Sequence, residues 1–135
     1  GLYERTTELL NPWIGLLPLH LTTLPETPTE PRSDCHAWSA LPLYEFTHCL
    51  LGVRGVRPGW REILIEPETL NLPEMKGELH TPVGVVTVAW RRTADSFTIE
   101  GKVPEGIPLR VRWSGGIDRY YENGGSFNEF TLLRP

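Results

Sequence analysis

The sequence predicts an α+β arrangement in two parts: a helical stretch over residues 1–53, then an antiparallel β-sandwich over residues 54–135. Three observations carry this expectation. Apolar residues in the first stretch recur near helical spacing. From about residue 54 the apolar period changes to two. Gly and Pro then separate the alternating runs at intervals of about ten residues, as in sandwich folds.

Taken in order, "YERTTELLNPWIGLLPLHL" places Leu9, Trp13, Leu16 and Leu17 near one helical face. Asn11-Pro12 fits a helix start, with Asn11 as cap and Pro12 at the first position. Leu2 to Leu10 is then the end of an earlier helix or a loop. Pro18 kinks or ends the segment. The four prolines of "TTLPETPTEPRSD" forbid a regular helix and favour an extended loop. Ser33 or Asp34 can cap the next helix, "CHAWSALPLYEFTHCLLG", with Leu43, Phe46, Leu50 and Leu51 as its apolar stripe and Gly52 as its stop. Pro42 is expected to break that segment in two. Helices this apolar, without an equal partner, look like the end of a larger helical assembly.

The second part reads as strands. "WREILIEPE" is the first. "GELHTPVGVVTVAW" is two strands meeting at a Pro82-Val83-Gly84 turn, with Val86, Val88 and Trp90 on one face. "DSFTIEGKV" aligns Phe97, Ile99 and Val103, and "PLRVRWS" turns Leu109, Val111 and Trp113 inward and Arg110 and Arg112 outward. "SFNEFTLL" supplies the last strand. No helix and no internal repeat is expected here.

Composition excludes several function classes. The 135 residues suffice for one domain, or for a small domain plus a piece of another. With 39% hydrophobic and 22% charged residues, the class is soluble and globular. The net charge of −4 argues against a nucleic-acid partner. No apolar run reaches the length of about 18 residues needed for a membrane span. No leader pattern opens the chain, but it begins with Gly1 rather than Met, so this leaves the compartment open. Two thiols without a partner lean toward a reducing compartment, such as the cytoplasm.

"RSDCHAWSA", residues 32–40, is the densest run of chemically versatile side chains. A metal centre is not expected: Cys35 and His36 are adjacent, Cys49 is about 21 Å further along a continuous helix, and no CxxC or HExxH spacing occurs. The same distance rules out a Cys35–Cys49 disulfide, which needs Cα atoms within about 7 Å. A Cys-His nucleophile is disfavoured too, because neighbours in sequence rarely meet head to head. Both thiols are expected to be buried packing groups. The proline-held loop before this run offers Glu26, Glu30 and Asp34. A carboxylate fixed on a rigid loop suits general-base work, whereas a loop charge can equally be a solvated one. His36 and Trp38 read on pattern alone as a buried histidine and a core tryptophan.

The series "LTTLPETPTEPRSDCHAWSALP", "LLGVRGVRPGWREILIEPE", "KGELHTPVGVVTVAW" and "VPEGIPLRV" resembles the C-terminal end of bacterial α-L-rhamnosidases of glycoside hydrolase family 78. The resemblance covers nearly the whole chain. It implies the C-terminal helices of an incomplete (α/α)6 catalytic barrel over residues 1–53, followed by the family's C-terminal β-sandwich over 54–135. It also implies release of terminal α-L-rhamnose with inversion. Inversion needs an acid to protonate the leaving oxygen and a base to activate water, about 6.5–9.5 Å apart. The family's base follows a "TT" pair and precedes the "SDCHAW" helix, and Glu26 is the residue that matches; Glu30 ranks second. His36 and Trp38 match substrate-binding positions. The departures are Pro25 before Glu26, Pro31 before Arg32, and His20 before "LTT".

The general acid lies upstream in the family, so the implied partners are a rhamnosyl glycoside and the N-terminal part of the barrel. No cofactor and no metal are implied. The isolated chain is expected to be inactive. One alternative is a non-catalytic carbohydrate-binding or accessory β-sandwich module, binding through Tyr120 or Tyr121. Another is a structural remnant that folds only with a partner chain.

Overall fold

Helix α1 (Thr6–Ile14) opens the computed structural model, which describes residues 5–27 and 29–133, apart from the side chains of Thr6, Thr7 and Leu9. Two compact units follow from the chain's own contacts, residues 1–45 and 46–135. In the first, α1 begins earlier than Asn11-Pro12 suggests. Arg5 precedes it and pairs with Glu8 one turn on, where a carboxylate also suits the positive end of the helix. Pro12 therefore sits inside the helix, not at its start. Its missing N–H removes the bond that would run to the Glu8 carbonyl; the helix then ends at Ile14, where Gly15 N donates to Asn11 O at 2.9 Å. Residues 2–4 lie outside the described residues. Pro18 stands in the first turn of a short 3-10 helix, Leu17–Leu19, closed by His20 at φ 52°.

The expected helix from Cys35 is realised as short pieces. Neither Ser33 nor Asp34 caps it. His36 is extended (φ −136°, ψ 122°), and a 3-10 turn runs over Ala37–Ala40. Ser33 Oγ instead bridges the backbone of Cys35, accepting from its N at 3.3 Å and donating to its O at 3.0 Å. Such local bonds compete with helix formation. Helix α2 (Leu41–Glu45) follows with Pro42 in its first turn, where an absent N–H needs no partner.

The second unit starts with a loosely wound turn, Phe46–Leu50, closed by Leu51 N to Phe46 O at 2.9 Å. Gly52 ends it at φ 75°, and a Cβ there would lie 2.2 Å from the Glu66 carbonyl carbon. Only glycine fits. Of the expected stripe, Leu50 and Leu51 are buried, Phe46 is half-buried, and Leu43 is exposed.

Among the described residues eight strands form two four-stranded sheets. The first has the order β1 (Val53–Gly55), β2 (Ile63–Ile65), β6 (Leu109–Trp113), β7 (Ile117–Tyr121). The second has β3 (Glu74–Thr81), β4 (Gly84–Arg92), β5 (Ser96–Val103), β8 (Gly125–Leu132). The β3–β4 hairpin turns at Pro82-Val83, as read from the sequence. The inward faces meet in one core: Val86, Val88, Trp90, Phe97, Ile99 and Val103 from one sheet, Ile63, Ile65, Leu109, Val111 and Trp113 from the other. Phe97 stacks on Trp113 with centroids 4.0 Å apart.

The sandwich is not wholly antiparallel. β2 and β6 pair in parallel, Ile63 opposite Leu109. Between them the chain leaves to build β3, β4 and β5 in the other sheet, and it returns running the same way. A short hairpin cannot make a parallel pair; this long excursion can.

Candidate functional site

The prolines of the loop do not leave it loose. Its two limbs are tied by backbone bonds, Glu26 N to Ser33 O at 2.9 Å and His36 N to Leu24 O at 2.8 Å. Side chains of the following turn reach back to the same short stretch. Trp38 Nε1 donates to Glu26 O at 3.0 Å, and Ser39 Oγ donates to Pro25 O. Thr23 Oγ1 donates to Asp34 O, and Trp13 Nε1 to Ser39 O at 2.7 Å. Pro25 is buried. The backbone at Glu26 is therefore held on both sides, as a positioned carboxylate requires.

The Glu26 carboxylate meets the Arg32 guanidinium in a two-pronged pair, Nε to Oε2 at 3.1 Å and Nη2 to Oε1. The Glu26 side chain keeps only 8% of its surface exposed, against 86% for Arg32. Arg32 holds the Glu26 carboxyl below the usual carboxylate range; the charge of His36 adds to this, and partial desolvation opposes it. His36 and Trp38 rings lie 4.0 Å apart, tilted by 35°.

The three candidates, Glu26, His36 and Trp38, thus share one small neighbourhood. Trp38 is not the core residue that its pattern suggests, since it is 64% exposed. Its anchoring bond lies on the indole nitrogen and the His36 ring lies against it, which leaves most of the rest of the ring in solvent. Cys35 is likewise exposed rather than a packing residue, and Cys49 is half-buried. The backbone bond of Cys35 to Ser33 keeps it in the extended segment, outside any apolar contact a helix would have given it. Glu30 is exposed with φ 47°. Arg32 escaped the sequence reading: six residues from Glu26 on an irregular loop, no periodicity marks the pair.

Among the described residues no group of three or more His, Cys, Asp or Glu side chains is placed to hold a metal ion. No helix among the described residues is long and apolar enough to cross a membrane. An open groove of about 840 Å³ lies on the outer face of β3, β4, β5 and β8, over Lys76, Thr87, Ala89, Glu100 and Asn128. None of Glu26, His36 and Trp38 lines it. Tyr120 is exposed, whereas the Tyr121 hydroxyl is taken up by Glu129.

Residues 52–121 match the family described as the bacterial alpha-L-rhamnosidase C-terminal domain. Over 63 residues the chain is 35% identical to an alpha-L-rhamnosidase of Alteromonas sp. (strain LOR), covering 46% of this chain and 7% of that protein. The GH78 family rhamnosidase of Bacillus sp. GL1 is similar in structure, with a TM-score of 0.72 and 28% identity over 83% of this chain and 13% of that one. The alpha-L-rhamnosidase from Dictyoglumus thermophilum has a TM-score of 0.66 at 23% identity, over 88% of this chain and 17% of that one; this is a likeness of fold. The chain spans less than a fifth of the length of each of these relatives. More than half of its residues fall within the family match, and the chain belongs to the bacterial α-L-rhamnosidase C-terminal domain family.

Proposed function

We propose that this chain is the C-terminal portion of a glycosidase that releases terminal α-L-rhamnose with inversion, and that Glu26 is its general base. In this reading residues 1–53 are the last helices of an (α/α)6 catalytic barrel, and residues 54–135 are the sandwich that braces its end. Glu26 takes a proton from the attacking water. His36 and Trp38 hold the sugar, the indole face supplying a stacking surface. The acid that protonates the leaving oxygen comes from an upstream segment, so the 135-residue chain alone hydrolyses nothing.

The observation that carries this reading is the fixed backbone of Glu26, bonded through its own N–H and C=O to Ser33 and Trp38. A solvated loop carboxylate needs no such support. Family membership and the shared names of the relatives point to the same chemistry. The test is Glu26→Gln in the longer protein, assayed on an aryl α-L-rhamnoside. Turnover should fall by about two to four orders of magnitude, with the fold intact by circular dichroism. Near-normal turnover would refute the assignment.

A further inference from the structure

We propose that Arg32 is a positioning group for Glu26: its planar fork fixes both carboxylate oxygens in place and in plane. This rests on the reading of Glu26 as the base and concerns how that base is kept ready.

The geometry has three parts. First, the pairing uses two prongs, Nε to Oε2 and Nη2 to Oε1, so it sets the plane of the carboxylate as well as its place. The Arg32 backbone N–H also bonds the Glu26 carboxylate, and the remaining acceptor capacity is open to a water proton. Second, accessibility is lopsided. Glu26 is nearly covered, and the side chain paired with it is almost fully in solvent. Arg32 buries little of its own surface, so the loop rather than the guanidinium supplies most of that cover, and the fork acts on the carboxylate from the solvent side. Third, the loop backbone is held independently, by Ser33, Trp38 and the Leu24–His36 bond. Arg32 is therefore free to act on the carboxylate alone.

The pairing has a chemical consequence. Arg32, and to a lesser degree His36, keeps Glu26 ionised at lower pH than an ordinary glutamate. A base so held is always in the correct form but is a weaker acceptor. Removing the guanidinium raises its basicity.

Two measurements test this. The Glu26 side-chain carboxyl is titrated by carbon NMR in the 135-residue chain, unmodified and as Arg32→Gln and Arg32→Lys. The midpoint should rise in Arg32→Gln and lie between the two in Arg32→Lys, which keeps the charge and loses the fork. In the longer protein the acidic limb of the kcat/KM profile should move to higher pH in the same order. A Glu26 midpoint and an acidic limb that ignore both substitutions would overturn the role of Arg32, even with Glu26→Gln inactive. Retained turnover in Glu26→Gln would instead remove the base reading beneath it, whatever the NMR shows.

Discussion

Phe97 shows how much of the sandwich rests on single side chains. It is fully buried, stacked on Trp113 at 4.0 Å and tilted against Trp90 at 6.2 Å. The Trp90 indole N–H is satisfied by Leu50 O at 2.8 Å, so the aromatic trio carries little unpaired polarity. Trimming Phe97 leaves a cavity between two rigid rings that cannot close on it. Phe97→Ala should therefore destabilise the sandwich by about 3–5 kcal/mol, read from the urea midpoint by tryptophan fluorescence. A loss under about 1 kcal/mol would show that the rings collapse into the space. This residue was legible beforehand, because alternation put Phe97, Ile99 and Val103 on one face. The Glu26–Arg32 pair was not, because an irregular loop has no period to read.

At the scale of elements, the long strands announce themselves and the short ones do not. β4 and β5 alternate over eight or nine residues, and their buried faces are the ones that alternation marks. β7, "IDRYY", has one fully buried position at its start, so nothing in its pattern separates it from a turn. β1 spans three residues and is recognisable only from its partner, β2. The parallel β2–β6 pair is invisible for a different reason: strand direction within a sheet leaves no mark in a single strand's alternation.

β7 nonetheless helps close the sandwich. The Tyr121 hydroxyl donates to Glu129 on β8, joining the two sheets at their margin. Burial first, then the Glu129 carboxylate, pushes the Tyr121 phenol up to about 12. Below the ordinary tyrosine value of about 10, the phenol is protonated in both the folded and unfolded chains, and its contribution is fully present. Between about 10 and about 12 the unfolded chain loses that proton and the folded chain keeps it, so stability falls as pH rises. Tyr121→Phe should remove this part of the alkaline loss and the latest phase of phenolate absorbance. Parallel stability curves for the two proteins over that window would contradict the strap.

For the whole molecule, the contrast between its two units decides what the chain can do alone. Among the described residues the buried apolar core comes entirely from residue 50 onward. In the first unit Ile14, Leu17, Leu19, Leu41, Leu43 and Tyr44 are exposed, and among its described residues only Pro25 and Pro42 are buried. Scattered exposed leucines are ordinary; so many within 45 residues mark a surface that water does not suit. The candidate base stands in that unit. The sandwich has a finished core, whereas the described residues of the first unit do not form one. The proposed reading of the first unit as a piece of a larger helical assembly calls for such an asymmetry, and the chain spans only a small share of its relatives. At micromolar concentration the 135-residue chain should bind a hydrophobic dye such as ANS and self-associate by light scattering. Leu17→Ser with Leu43→Ser should reduce both signals while the unfolding midpoint of the sandwich stays within about 0.5 kcal/mol. A monodisperse monomer that ignores the dye would mean that the helical unit covers its own apolar surface, and the case for a missing upstream partner would fall with it.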